Sequence, residues 1–309
     1  MLDIVVLFFL FGLLAGLLRS ELKLPPALYD TLSLFLLLAI GLKGGVGLSQ
    51  QPLLPLIPQL GLVILLGVAQ TLAGFALLRI KMNRVDAAAT AAHYGSVSVA
   101  TFAVGVNWLT ERGISFESQL SIFLAVMEIP AILVGIVLAR GISRDTQWRV
   151  LAHEAFLGKG VTLLIGGMVI GYVAGPQGVA PLKPLFVDLF KGALALFLLE
   201  MGLIVARQSR DLRQHGLFLL AFALLMPLGS AWLGLMAGNL MSLSVGGLTL
   251  LATLTASASY IAVPAAMRIA LPQANPGLSL SAVLGVTFPF NIMLGIPLYY
   301  QWAHFFAES

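Results

Sequence analysis

A chain of 309 residues that is 59% hydrophobic and only 10% charged, with mean hydropathy +1.00, is a polytopic membrane protein, and no polar stretch is long enough for a soluble domain. The absence of cysteine removes disulfides, thiolate nucleophiles and thiolate metal sites. The net charge of +4 lies in the connections between apolar runs, with no basic, aromatic-interleaved patch, so it reports membrane topology and excludes a nucleic-acid partner.

In chain order, the first apolar run, Leu2 to Leu18, carries Asp3 and has neither a basic leader nor a small-residue cleavage site, so it reads as a transmembrane helix and not a signal peptide. The runs that follow place helices at 2–18, 28–48, 53–78, 86–108, 117–140, 155–174, 184–206, 215–239, 246–271 and 277–305, ten spans in all. Every second connection is basic: Arg19 and Lys23; Arg79, Lys81 and Arg84; Arg140, Arg144, Arg149 and Lys159; Arg207, Arg210 and Arg213; then Arg268. The others hold Arg112 and Lys183, and the asymmetry puts both termini on the external side of the membrane.

Gly12 and Gly16, Gly41 and Gly45, Gly167 and Gly171, and Gly234 and Gly238 have the spacing that lets helices pack closely, here read as packing within one chain. Lys43, near the outer end of the second helix, either snorkels to the interface or supplies positive potential to an anion path. Its counterpart in the second half is Glu200.

The fourth span begins at Asp86 and runs into His93-Tyr94-Gly95-Ser96-Val97-Ser98, small polar residues at mid-depth. The serines either bond back to the preceding helical turn or mark an interruption facing a cavity. His93 is read either as a proton relay or anion contact, or as simply hydrogen-bonded at the break. Glu128, two residues before Pro130, requires a partner or water at that depth and is the leading candidate for a sodium or proton coupling group. The basic connection 141–154 is too short for a domain; His153 and Glu154 lack the further ligands a metal site needs.

In the ninth span, Thr255-Ala256-Ser257-Ala258-Ser259-Tyr260 repeats the polar patch, and Pro264 gives a direct reason for a break. Aligning Ser96 with Ser257 also aligns Ser98 with Ser259, and at nearly the same offset Ile132-Leu-Val-Gly-Ile matches Ile292-Met-Leu-Gly-Ile and Asn291 falls near the place of Glu128. The expected fold is therefore all-α, with ten helices in a 5+5 inverted repeat and two broken helices crossing at the midplane. Residues 1–309 form one membrane transport domain: 1–140 the first repeat, 141–154 a cytoplasmic linker, 155–309 the second repeat. Arg268 reads as a cytoplasmic-end anchor.

Half-helix N-termini meeting at the midplane suit a small anion, and nearby carbonyls and hydroxyls suit sodium, which together point to sodium-driven anion symport. Competing readings are a symporter of another small carboxylate, a sodium/proton antiporter, an intramembrane serine protease using Ser96 or Ser98 with His93 or His153, and a sensor that binds without transporting. The antiporter lacks an adjacent acid pair in either patch. The protease needs Ser96 and His93 on one unbroken helical face.

Tyr94-Gly-Ser-Val-Ser, Met127-Glu-Ile-Pro-Ala, Ala256-Ser-Ala-Ser-Tyr-Ile-Ala-Val-Pro and Leu271-Pro-Gln-Ala-Asn-Pro resemble motifs of the SbtA-type sodium-dependent bicarbonate transporters, and the resemblance covers nearly the whole chain. It implies a five-plus-five inverted repeat, sodium-coupled bicarbonate uptake, a homotrimer and, in cyanobacteria, inhibition by a partner similar to the PII signalling proteins. By position it implies that the anion sits against the amides of Gly95, Ser96, Val97 and Ser98 and those around Ser257, Ala258 and Ser259. Sodium is implied at Ser98, Thr101, Ser257, Ser259 and Glu128. Cyanobacterial members tend to have Ser-Ser-Asp in place of Ala258-Ser259-Tyr260, Asp in place of Glu128, and a longer central loop.

Overall fold

A segment surrounded by lipid has no water to bond its backbone, so it must satisfy those groups internally as helix. The structure, a computed structural model, describes residues 3–141, 149, 153, 156–212 and 216–308, and every regular element among them is helical. The elements are α1 (Ile4–Leu17), α2 (Pro26–Leu48), α3 (Leu56–Leu78), α4 (Arg84–Gly95), α5 (Val99–Thr110) and α6 (Leu120–Arg140). Then follow α7 (Lys159–Val179), α8 (Phe190–Leu212), α9 (Gly216–Leu240), α10 (Val245–Ala256), α11 (Ala262–Ala270) and α12 (Pro276–Ala307). The expected linker at 141–154 lies outside the described residues except for Gly141, Arg149 and His153.

Seven of these helices are individually long and apolar enough to cross a membrane. The other three expected spans differ for physical reasons. Helix α1 has 14 residues, which at 1.5 Å per residue is about 21 Å. The stretches 86–108 and 246–271 are each divided into two short helices, α4 with α5 and α10 with α11. Helix α12 stays continuous by widening: its turns loosen at Val283–Thr287 and Asn291–Gly295, each ending two residues before a proline, Pro289 and Pro297, that cannot donate to the helical ladder.

Two close crossings organise one side of the bundle. Helix α1 lies along α8 and α2 along α7. In the first pair a Cβ on Gly12 would strike the Leu199 carbonyl and one on Gly202 the Phe9 carbonyl. In the second, a Cβ on Gly45 would strike the Met168 carbonyl and one on Gly171 the Leu42 carbonyl. These glycines serve packing within one chain, because only hydrogen fits between the backbones. On the other side α3 packs on α4 and α6, while α9 packs on α10 and α12.

The polar ends of the bundle tie distant connections together. At one end Asn107 donates to Asp3 (3.0 Å), Lys191 pairs with Glu111, and Glu117 accepts from the Ser244 amide (2.6 Å). At the opposite end Arg84 Nε donates to the Leu138 carbonyl (2.6 Å), and Asp86 accepts from the Asn275 amide (2.7 Å) at the start of α12. Since Gly171 is pressed against backbone, Gly171→Ala is expected to destabilise the protein by about 1–3 kcal/mol. Gly61, with nothing within 4 Å of its Cβ position, is the matched control. Thermal unfolding in detergent should show a lower midpoint for Gly171→Ala and none for Gly61→Ala.

Candidate functional site

The first break is built locally. Asn83 caps α4 by accepting from the Asp86 amide (2.9 Å), so the helix starts at Arg84, two residues before the expected Asp86. Its alanines, Ala87, Ala88, Ala89, Ala91 and Ala92, are all buried. Small side chains bring α4 close to α3, and at its end Gly95 presses on Thr71 and the Gly67 carbonyl, where a Cβ has no room. The chain then runs extended at Ser96 (φ −96°, ψ −176°) and at Ser98 (φ −111°, ψ 115°). Ser98 restarts the helix as the N-cap of α5, its Oγ accepting from the Thr101 amide (3.2 Å) and the Thr101 hydroxyl (3.0 Å).

The second break follows α10, with Ser257 extended (φ −82°, ψ 169°) and α11 resuming at Ala262. Pro264 is therefore the third residue of the new helix, a position whose missing N–H has no helical partner to lose.

The breaks satisfy each other. The Ser259 amide donates to the His93 carbonyl (2.9 Å), and His93 Nδ1 donates to the Ser259 carbonyl (2.6 Å), a tautomer assigned from the fact that a carbonyl only accepts. The Ser98 amide donates to Ser257 Oγ (2.8 Å), whose own proton goes to the Leu254 carbonyl (2.7 Å). His93 is thus a bridge between the breaks, and it makes no Ser–His pair with Ser96, since α4 ends before Ser96 and the ring is engaged with Ser259.

The expected site residues divide into three groups. Ser98, Thr101 and Ser257 are brought into one hydrogen-bonded cluster, and Ser259 stands beside it, bound to His93 and 3.4 Å from the Val263 amide. The amides expected to hold an anion are engaged within the protein in this conformation: Ser96 with the Ala92 carbonyl, Ser98 with Ser257, Ser257 with the Leu254 carbonyl and Ser259 with His93, while Gly95 still belongs to α4. Val97 and Ala258 are buried at the crossing. Glu128 stands apart: it is buried, makes no hydrogen bond or ion pair among the described residues, and places Oε2 3.9 Å from the Cβ position of Gly160 on α7.

Among the described residues, two hydroxyls at the breaks have no hydrogen-bond partner. Ser96 Oγ is buried, on a residue only 1% exposed, and the buried Tyr260 hydroxyl lies near Ser98 without a well-formed hydrogen bond to it. The phenol ring rests edge-on against Phe288 (5.7 Å). Buried hydroxyls are ordinarily bonded, so unpaired ones beside a polar crossing are open to a ligand or water.

Of the groups that finish the second break, sequence reasoning missed Gln70 and noted Asn291 only as the counterpart of Glu128. Gln70 Nε2 donates to the Thr255 carbonyl (2.8 Å), and Asn291 Nδ2 to the Ala256 carbonyl (2.8 Å) while Tyr299 donates to its Oδ1 (2.6 Å). Both amides cap carbonyls freed at the C-terminus of α10. The available signal for Gln70 was a glutamine deep inside an apolar 23-residue helix, eleven positions beyond Gln59 in its first turn.

Cavities approach the crossing from both sides. One of about 570 Å³ runs along the Phe102, Val106 and Thr110 face of α5 and is walled opposite by α2 and α8. Lys43 is exposed and lines it. A smaller one, about 140 Å³, joins His93 to Arg268, Asn275 and Ser279, so Arg268 faces a passage that leads to the break. Among the described residues no cluster of three or more His, Asp or Glu side chains is formed, and Glu154 lies outside them.

No curated protein matches the sequence. The profile of the Na+-dependent bicarbonate transporter superfamily matches residues 4–304, nearly the whole chain. A multi-pass helical protein with two interrupted helices joined at a polar crossing, matched along that length, belongs to the Na+-dependent bicarbonate transporter superfamily.

Proposed function

We propose that the protein is a secondary transporter that couples inward sodium movement to bicarbonate uptake, with both ions handled where the two helix breaks meet. The observation that carries this is the crossing itself: two interrupted helices hold Ser98, Thr101 and Ser257 together and leave the hydroxyls of Ser96 and Tyr260 unpaired. Family membership supplies the class of cargo.

The anion takes donors from Ser96, from Tyr260 and from amides at Gly95–Ser98 and Ser257–Ser259 that part from one another when it binds. The positive end of the α5 dipole adds attraction. Sodium, a hard cation, takes hydroxyl and carbonyl oxygens around Ser98, Thr101, Ser257 and Ser259. Neutralising sodium and bicarbonate against each other makes joint occupancy of a buried site less costly than either ion alone, which is the electrostatic basis of coupling. Glu128, one turn from the α4 contact surface of α6, acts on the sodium step from a distance through its charge.

The helix pairings support a 5+5 inverted repeat and ten spans, with α1 and α2 exchanged for α7 and α8. Under that exchange the α1–α8 glycine crossing maps onto α7–α2, and α3–α4 maps onto α9–α10. The grouping of Arg84 and Lys159 at one end, and Asp3, Glu111 and Glu117 at the other, supports external termini in a bacterial inner membrane. The α1, α2, α7 and α8 panel and the bundle holding the breaks are then the bodies that rock past one another. Trimeric assembly and a regulator similar to PII proteins rest on the sequence resemblance alone.

In proteoliposomes at a pH where carbon dioxide leakage is small, an inward sodium gradient should drive accumulation of radiolabelled bicarbonate. Accumulation indifferent to sodium would remove the coupling. None at all, from folded protein, would transfer the site to another small carboxylate, whose recognition by the neutral donor Tyr260 is the feature favouring that second reading. Ser98→Ala and Ser259→Ala should each lower uptake at least about tenfold, the scale of one lost bond to a charged group, with normal membrane insertion. Glu128→Gln should flatten the dependence of uptake rate on sodium concentration while bicarbonate saturation is kept; an unchanged sodium curve would exclude Glu128 from coupling.

A further inference from the structure

The larger cavity has a chemistry of its own. Its volume of about 570 Å³ falls within the roughly 300–1,000 Å³ typical of pockets for drug-sized ligands. Its walls are mostly apolar, from Ile40, Val46, Phe102, Val106, Phe116 and Phe186. The polar groups around it are largely engaged: Lys191 with Glu111, Asn107 with Asp3, and the Thr110 hydroxyl with the Val106 carbonyl.

Lys43 is the exception. Its Nζ stands 5.7 Å from the centroid of the Phe116 ring, and among the described residues no carboxylate pairs with it. A small, strongly hydrated anion needs donors on several sides, and walls of this kind do not replace its water. An anion carrying a large apolar body loses little by entering, because its body gains from burial and its charge meets the ammonium.

We propose that this cavity binds an amphipathic monoanion, a single carboxylate or phosphodiester on an aromatic or aliphatic body, with Lys43 holding the charge and the Phe102 to Phe116 walls holding the body. The site goes beyond the ion crossing. The cavity separates α2 and α8 on one side from α5 and the start of α6 on the other. An occupant therefore wedges the panel from the bundle and arrests transport; that consequence rests on the transport reading, whereas the binding does not.

The test uses the whole protein in phosphatidylcholine nanodiscs with 1-pyrenebutyrate as fluorescent probe and 1-pyrenebutanol as its neutral counterpart, each read against empty nanodiscs. Saturable binding of both is expected. Lys43→Gln should weaken pyrenebutyrate about tenfold, the scale of one lost charge-assisted bond, and change pyrenebutanol by less than about twofold. Retained pyrenebutanol binding also shows that the variant is folded. Val106→Trp, which fills the cavity, should remove both.

Equal pyrenebutyrate affinity in wild type and Lys43→Gln, or no binding beyond empty nanodiscs, overturns the proposal. Adding phosphatidylglycerol separates the sources of the anion. Competition identifies a lipid headgroup and acyl chain as the natural occupant, and unchanged affinity identifies a free carboxylate. In proteoliposomes, pyrenebutyrate should slow uptake by wild type and not by Lys43→Gln; binding without inhibition would strike out the wedge alone.

Discussion

The structure depends on one obligation: backbone polar groups freed inside a membrane protein must find partners without bulk water. An unbonded amide or carbonyl in such surroundings costs several kcal/mol. Two helices nevertheless stop in mid-bundle, at Gly95 and Ala256. Each break answers the other, through the paired His93 and Ser259 bonds and the Ser98–Ser257 bond, and side chains from α3 and α12 complete the account at Thr255 and Ala256. The breaks are tolerable because they meet. A single one would lack its principal partner.

That mutual bonding requires close approach, and the composition supplies it. Alanines line α4, Gly95 touches α3, and Gly135 of α6 sits against Ala92. The same device, used twice with glycine, seats α1 on α8 and α2 on α7. Lipid gives little apolar drive for helices to associate, so the gain comes from contact between surfaces that fit. The result is a closely packed panel beside a bundle that carries the polar crossing, with the larger cavity between them.

The buried polar residues then sort by whether they are satisfied. Gln70 through its amide nitrogen, Asn291, the Thr90–Ser279 pair and the Tyr94–Thr287–Ala223 chain hold helices to one another. Ser96, Tyr260 and Glu128 hold nothing among the described residues.

The membrane class, the order of the helices and the two interruptions were legible in the sequence, because each rests on local chemistry. Lipid selects long apolar runs, and Gly95, Ser98, Ser257 and Pro264 act on their own few residues by breaking or capping a helix. Partnership was not legible. The bond from His93 spans 166 positions and that from Gln70 spans 185, and no rule of spacing says which distant carbonyl a side chain will meet. Local reading gave His93 several roles and Lys43 two; packing made the first a bridge between breaks and placed the second along a cavity. It also left Glu128 without a hydrogen bond to the serines among the described residues. The sequence by itself determined where the chain could cross lipid and where it had to stop, since those follow from each segment's own hydration. Only the tertiary structure decided which groups met, because contact depends on how whole helices fit.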